Sequence, residues 1–294
     1  MTMSYFSDAW TTSTGDIAKK DVMREVLYIE ADTMMNAQNG LVIRPTPVLD
    51  IRMLLPKTTR IDPTQISEGA LAPQSTLEFR NVDTSLEKYQ TRLPITYEVK
   101  ARQLGKEQVR GMLKASARGL AYSKDTEAFT EIAAGADAGG AVTATDAWDE
   151  TSSADIPDDI ATGVQNIVDG TNITEEEIKD IVCFYPMKMK GFLLKNGDLG
   201  QMDMSIQSWI ENNVGIKMYP TRQLSKTAIM MVKSEETAIH WVYNGEDVPT
   251  AEERKVEGVG DEYIFTQYYK TKVIPDTDGG TTTGRIITIT GVDD

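Results

Sequence analysis

The chain has very few of the residues from which catalytic and metal-binding sites are usually built. Among its 294 residues there is one cysteine, Cys183, and one histidine, His240. A single cysteine excludes an internal disulfide, and two possible ligands are too few for a structural zinc site. Both residues lie in apolar stretches that predict strands, where a free cysteine behaves as a small buried hydrophobic group. We therefore expect both residues to be structural.

Motifs that bind nucleotides or calcium are missing as well. No phosphate-binding loop occurs, and Gly258-Val259-Gly260 lacks the third glycine of a dinucleotide fingerprint. Asp276-Thr277-Asp278-Gly279 lacks the downstream glutamate of a calcium loop, so a turn is the better interpretation. The acidic cluster 155–159 could hold a metal, but a solvated face is favoured. We expect no catalytic, cofactor-binding or metal-binding residues, and an enzyme is the least favoured class.

Long hydrophobic runs are also missing. No segment approaches the 18 or so apolar residues of a membrane span, and Met1–Tyr5 lacks the basic and apolar regions of a secretory signal. We expect a soluble protein made inside a cell, with no membrane partner. Acidic residues outnumber basic ones by 45 to 30, which gives a formal net charge of −15. Such a balance argues against a sequence-reading nucleic-acid binder.

The charges are unevenly distributed along the chain. Residues 100–124 contain seven basic residues and one acidic residue, whereas residues 146–180 contain eleven acidic residues and one basic residue. Four of the basic residues recur every four positions, which places them in one stripe on a helix. They are Lys106, Arg110, Lys114 and Arg118. The stripe is either a solvated face, a DNA-facing surface that contacts phosphates without reading sequence, or a surface for an acidic patch on a neighbouring subunit.

The order of the predicted elements indicates an α+β fold with mixed sheets. A polar arm of 15 residues precedes a helix from Asp16 to Gln38, and a helix from Leu104 to Ala134 would be about 45 Å long. Gly135–Asp149 is the best candidate boundary between two subdomains. Five strands are predicted near the C-terminus, and a hairpin turn at 276–280 joins the last two. They are Gly215–Tyr219, Thr227–Val232, Thr237–Tyr243, Tyr263–Ile274 and Gly284–Val292.

The segment Lys57–Pro94 is too long and too polar to fold within a compact domain. It keeps the alternation of a strand at 76–80 and at 89–93, and a further strand is predicted at Ile95–Val99. The segment therefore predicts an extended two-stranded arm with one apolar edge, which needs a neighbouring molecule to lie on. This arm indicates an assembly protein.

These parts occur in an order that resembles the Hong Kong 97-type capsid fold. That fold is used by the major capsid proteins of tailed double-stranded DNA viruses and by encapsulin compartments. Ile66–Ala70 resembles the turn that opens the family's extended loop, and Leu93–Glu98 resembles the strand that closes it, before the spine helix at Ala115–Ala134. Gly215–Tyr219 resembles a late axial strand without its usual proline, and Gly284–Val292 resembles the last peripheral strand.

The resemblance implies a division of the chain into domains. The N-terminal arm would be 1–39, the extended β-hairpin loop 57–94 and the axial domain 136–235. The peripheral domain would combine 40–56, 95–135 with the spine helix, and 236–294. The loop would lie across the next subunit in a heterologous contact. The residues expected in that inter-subunit contact are Glu68, Leu77, Phe79, Tyr89 and Arg92.

The resemblance also implies a function. It predicts a structural, non-enzymatic major capsid protein of a tailed phage, which self-assembles into pentamers and hexamers of an icosahedral virion shell around double-stranded DNA. Assembly would take place in the host cytoplasm. The implied partners are identical subunits, packaged DNA bound through non-specific phosphate contacts, and separate scaffold, portal and decoration proteins. The chain has no room for a fused scaffolding domain. The alternative is an encapsulin-like nanocompartment shell with protein cargo.

Overall fold

The computed structural model describes most of the chain and shows the predicted mixture of helices and strands. The described residues are 20–56, 79–101, 105–149, 155–171, 173, 175–194, 205–245, 251–276 and 280–293. None of the helices in these ranges combines the length and the apolar character needed to cross a membrane.

The described residues contain seven α-helices. They are α1 (Lys20–Met34), α2 (Tyr97–Ala101), α3 (Gly105–Gly135), α4 (Ile156–Gly170), α5 (Glu175–Ile178), α6 (Lys190–Leu193) and α7 (Ile206–Trp209). Short 3₁₀ turns lie at Ala37–Asn39, Ala138–Gly140 and Met187–Met189, and a π-helical turn at Ile210–Val214 follows α7. The long helix predicted from the 3-4 spacing of its apolar residues is confirmed as α3, within one residue at each end.

Twelve strands form three sheets within the same residues. They are β1 (Val42–Thr46), β2 (Asp50–Pro56), β3 (Phe79–Ser85), β4 (Glu87–Thr96), β5 (Val142–Thr143), β6 (Ile181–Pro186), β7 (Lys217–Thr221), β8 (Thr227–Val232), β9 (Ala238–Tyr243), β10 (Ala251–Val256), β11 (Gly260–Val273) and β12 (Ile286–Thr290). The first sheet has the order β1-β9-β11-β10, with β4 also paired to β11. The second has the order β5-β12-β8-β6-β7, and the third contains only β2 and β3. Parallel and antiparallel pairs occur together, as predicted.

The first sheet is covered by two helices. Met23, Leu27 and Ala31 of α1 recur every four residues, so they lie on one side of that helix, and all three are fully buried. They belong to one core with Leu113 of α3 and Tyr269 of β11. Burying a side chain of the size of leucine contributes about 1.5–3 kcal/mol. The apolar stripe of α1 therefore fixes this helix to α3.

The C-terminal half of α3 packs on the second sheet. The ring of Phe129 meets the ring of Phe184 on β6 edge to face, with centroids 5.0 Å apart, and Ile132 belongs to the same buried cluster. The helix ends at Gly135, where an added Cβ would lie 2.5 Å from Cγ1 of Val273. One helix therefore takes part in the cores of both large sheets.

The predicted hairpin between the last two strands is wrong. β11 lies in the first sheet, whereas β12 pairs with β8 and β5 in the second. The described residues on either side of 277–279 do lie together, because the Asp276 carboxylate accepts hydrogen bonds from the Gly284 N–H at 2.6 Å and the Thr283 hydroxyl at 3.0 Å. This turn carries the chain from one sheet to the other. The last strand, which the resemblance grouped with the peripheral segments, therefore lies in the sheet built mainly from 136–235.

Two further elements differ from the sequence prediction. The strand expected at Ile95–Val99 ends at Thr96, and α2 begins at the next residue. The edge strand β10 was not predicted, because four consecutive charged residues, 252–255, hide any alternation. Residues 42–56 contain two strands, β1 and β2. β1 lies at a sheet edge, where a proline such as Pro45 is tolerated.

Candidate assembly surfaces

The pair β2–β3 lies outside both larger sheets. Seven residue pairs join the strands, from Asp50 opposite Ser85 to Pro56 opposite Phe79. An isolated two-stranded ladder is at best marginally stable in water, so it must pack on at least one face. Successive side chains of a strand point to opposite faces. The inner face carries Ile51, which packs on a buried cluster of the first sheet with Trp241 of β9.

The outer face of this ladder is exposed. Arg52 and Asp83 form an ion pair across it at 2.8 Å. Beyond this pair, towards the end at which the chain leaves the ladder, Leu54 is 66% exposed and Phe79 is 55% exposed. Leu54 pairs with Asn81, so their side chains lie on the same face of the ladder. Phe79 is two residues before Asn81 on β3 and therefore points to that face as well. This end of the ladder therefore presents an uncovered apolar pair.

The residues predicted for the inter-subunit loop fall into three groups. Glu68 and Leu77 lie outside the described residues. Phe79 is part of the exposed apolar pair. Tyr89 and Arg92 are not on a projecting arm, because all ten residues of β4 pair with β11 of the same molecule.

The position of β4 has a physical reason. The ring of Tyr89 stacks on the ring of Tyr269 with centroids 4.0 Å apart, and Leu93 is buried in the core beneath α3. The alternation at 89–93 therefore reflects the protein's own sheet. Of the described residues of the predicted arm, β3 pairs with β2, whereas β4 belongs to the first sheet.

The predicted basic stripe lies on α3, and its four members differ. The side chain of Lys106 is outside the described part of the structure. Arg110 is partly buried and donates a hydrogen bond to Glu107 at 3.2 Å. Lys114 and Arg118 are exposed, and no carboxylate of the described residues pairs with either. Among the members of the stripe whose side chains the structure describes, Lys114 and Arg118 are the exposed ones.

A groove of about 440 Å³ follows the C-terminal half of α3. Its lining residues come from α3, β4 and β11. They are Tyr89, Tyr122, Ser123, Thr126, Glu127, Thr130, Glu131 and Lys270. Tyr122, at 62% exposure, is among the most exposed large side chains of the described residues. Sequence analysis did not find this groove, because its walls come from segments far apart in the chain.

Three carboxylates surround the single ammonium group of the groove. Lys270 Nζ lies 2.8 Å from Glu87, 3.6 Å from Glu127 and 3.6 Å from Glu131. The hydrogen bond from Lys270 lowers the pKa of Glu87, whereas burial raises the pKa of Glu127 against hydrogen bonds from Thr271. With all four groups charged, this cluster has two more negative charges than positive charges, and Glu127, Glu131 and Lys270 of the cluster line the groove.

A polar anchor that sequence analysis missed holds the end of α1 against α3. Lys124 is fully buried and forms an ion pair with Asp32 of α1. The next residue, Asp125, accepts hydrogen bonds from the backbone N–H groups of Asn36 at 2.8 Å and Ala37 at 2.8 Å. A buried lysine on a helix with so many basic residues has no signal in the sequence, since its partner is 92 positions away.

The single histidine, the single cysteine and the acidic cluster 155–159 were the candidates for a catalytic or metal-binding role. His240 is buried and its Nδ1 shares a hydrogen bond with the Thr271 hydroxyl at 2.9 Å. Burial and the nearby Lys124 charge lower the pKa of His240 to about 3. Burial raises the pKa of the Cys183 thiol to about 12, so it is not a nucleophile at neutral pH. The described residues contain no group of three side chains that could hold a metal. In the acidic cluster, Asp159 accepts a hydrogen bond from Trp148 Nε1 at 2.9 Å.

Solved structures with this architecture identify the fold. No protein-family model matches the chain, and no curated protein is significantly similar in sequence. The virus-like particle from Pyrococcus furiosus matches with a TM-score of 0.58 at 10% identity, over 92% of this chain and 98% of its own. The capsid of Myoviridae phage XM1 matches with a TM-score of 0.59 at 14% identity, over 86% of this chain and 90% of its own.

A third solved structure, the capsid of an empty GTA particle, matches with a TM-score of 0.61 at 10% identity, over 87% of this chain and 89% of its own. The chain has the Hong Kong 97-type capsid fold. At these identities the likeness establishes the fold alone. α3 contains the segment Ala115–Ala134 that the resemblance predicted as the spine helix.

Proposed function

We propose that the protein is a structural major capsid protein of a tailed phage. It assembles in the host cytoplasm into pentamers and hexamers of an icosahedral virion shell that encloses double-stranded DNA. The observation that carries the proposal is the extent of the match. Solved shell-forming chains match over 86–92% of this chain and over 89–98% of their own length. The match therefore extends over most of a shell-forming chain and is not confined to one part of it.

The exposed apolar pair on the outer face of β2–β3 supports the proposal. A neighbouring copy lying on Leu54 and Phe79 would remove both side chains from water. A contact of this kind joins different surfaces of two copies, and it closes into rings when the rotation between copies divides a full turn. Each interface would need to bury more than roughly 1,000 Å² in total.

Enclosed DNA is compatible with the charge of the chain. Subunits with a formal net charge of −15 repel the DNA that they surround, so the genome is held by enclosure. The DNA-facing role of Lys106, Arg110, Lys114 and Arg118 stays a prediction. The other partner predicted for this stripe is an acidic patch on a neighbouring copy.

The proposal is tested by the assembly state of the purified chain. Negative-stain electron microscopy and sedimentation velocity are expected to show closed shells with fivefold and sixfold clusters of subunits. Particles from the producing cells are expected to contain nuclease-protected double-stranded DNA. A chain that stays monomeric at every concentration and salt condition would contradict the proposal.

An encapsulin-like compartment is the second candidate. It is favoured by the match to the Pyrococcus furiosus virus-like particle, which covers 92% of this chain and 98% of that one. Such a shell would be expected to purify with a protein cargo and without nuclease-protected nucleic acid. The same preparations therefore distinguish the two candidates.

A further inference from the structure

The groove on α3 has an uncompensated negative charge, and its chemistry fits a cation. Among the described residues, Glu87, Glu127 and Glu131 share the Lys270 ammonium as their one positive partner, so a second positive group entering the groove would be attracted by the remaining charge. Tyr89 and Tyr122 line the same space. Aromatic rings also attract ammonium and guanidinium groups, by about 0.5–2 kcal/mol depending on burial.

The same helix carries two cations without carboxylate partners among the described residues, Lys114 and Arg118. Neither cation forms an ion pair with Glu127 or Glu131 of its own molecule. Arg118 and Glu131 are 13 positions apart (131 − 118), which corresponds to about 20 Å along the helix and roughly 140° around it. The two cations and the carboxylates Glu127 and Glu131 therefore lie on different sides of α3, although Tyr122 at the near end of the groove is only one turn from Arg118.

We propose that Lys114 and Arg118 of one copy dock into the acidic groove of the next copy. This inference rests on the proposed assembly into a shell, and it names one contact within that assembly. A ring contact between identical subunits joins two different surfaces, and one helix with a cationic flank and an acidic flank supplies both. Adjacent α3 helices would be offset by about 20 Å along their axes.

DNA is the competing partner for these two cations, and the structure favours the neighbouring copy. The two cations Lys114 and Arg118 by themselves give few phosphate contacts, and the subunit as a whole is strongly acidic. The groove instead offers carboxylates that are partly buried, since the side chains of Glu127 and Glu131 are 10% and 30% exposed. Lys270 already spans Glu87 of β4 and the two glutamates of α3, so the acidic wall is held in place before a partner arrives.

A charge-swap experiment tests the contact. The double variant Lys114→Glu/Arg118→Glu is expected to raise the protein concentration needed for shell assembly by at least about tenfold, since each tenfold change corresponds to about 1.4 kcal/mol and close interfacial charge pairs can contribute more. Glu87→Lys/Glu131→Lys is expected to have the same effect. The quadruple variant, with the net charge of the original chain, is expected to restore assembly. Lys179→Glu/Lys226→Glu is the control, because it changes the charge equally at exposed sites of the other half of the molecule.

A crosslinking experiment locates the same contact. Arg118→Cys/Glu131→Cys is expected to form disulfide-linked ladders of subunits in assembled shells under oxidation, and Lys179→Cys/Glu131→Cys is expected to form none. Circular dichroism of each variant checks that the subunit is folded. If the original chain assembles, normal assembly of the Lys114→Glu/Arg118→Glu variant would overturn the inference, and so would shells of this variant that lose only their DNA. The absence of disulfide-linked ladders from the Arg118→Cys/Glu131→Cys variant would also overturn it. If the original chain does not assemble, the proposed function itself fails.

Discussion

At the level of single residues, the buried polar side chains matter most. His240 is held neutral inside the first sheet, because burial and the charge of Lys124 lower its pKa to about 3. In the unfolded chain a histidine titrates near 6.5. Between these values the unfolded state binds more protons than the folded state, so the free energy of unfolding falls as the pH falls below about 6.5.

Replacing His240 should remove this pH dependence. From pH 6 to pH 4 the original chain is expected to lose up to about 1.4 kcal/mol of unfolding free energy per pH unit through this group. His240→Asn, which keeps a hydrogen-bonding partner for Thr271, is expected to lose less over the same range. Urea unfolding at several pH values measures the difference. Parallel pH profiles for the two proteins would contradict the assignment.

At the level of elements, the attachment of α1 to α3 depends on an apolar stripe and on one ion pair. Lys124 is buried, whereas its partner Asp32 is about half exposed. Removing the carboxylate alone leaves a buried ammonium without its counter-charge, which is more costly than replacing the ammonium with an apolar group of similar size.

The two sides of this ion pair should therefore respond differently to substitution. Asp32→Ala is expected to destabilise the protein by about 2 kcal/mol, because a buried charge is left unpaired. Lys124→Met fills the same space without a charge and is expected to cost less. Midpoints of urea unfolding measure both variants. A larger loss for Lys124→Met than for Asp32→Ala would show that the ammonium itself is stabilising.

Elements whose signal is local were predicted best. α3 follows from the spacing of Val109, Leu113 and Leu120, since helical periodicity needs no information from distant parts of the chain. The sheet to which a strand belongs depends on long-range pairing, so Ile286–Thr290 was assigned to the wrong neighbour and Tyr89 to an arm. The acidic groove was missed for the same reason, because Glu87, Glu131 and Lys270 meet only in the folded chain.

At the level of the whole molecule, the exposed end of the β2–β3 ladder is expected to decide whether copies associate. Leu54→Asp/Phe79→Asp should prevent or strongly weaken shell assembly, because it places two charges in the apolar contact. Since both positions are exposed in one copy, the stability of the subunit should change by less than about 0.5 kcal/mol. Sedimentation velocity and urea unfolding measure the two effects.

The control for this prediction is Arg52→Ala/Asp83→Ala on the same face. It removes an exposed ion pair, which contributes about 0–1 kcal/mol, and leaves the apolar end intact. Assembly of this control variant is expected to continue. Normal shells from Leu54→Asp/Phe79→Asp would show that this end of the ladder does not bind a neighbour.

The participation of α3 in both cores has a mechanical consequence. Its first turns are fixed beneath β4 and β11, and its last turn is closed against Val273 with no room for a Cβ at Gly135. We expect a force applied to the β2–β3 ladder to pass through the first sheet into α3, whose C-terminal half packs on the second sheet. In the proposed shell, such subunits would be expected to change the curvature of the shell by tilting as whole units at their interfaces.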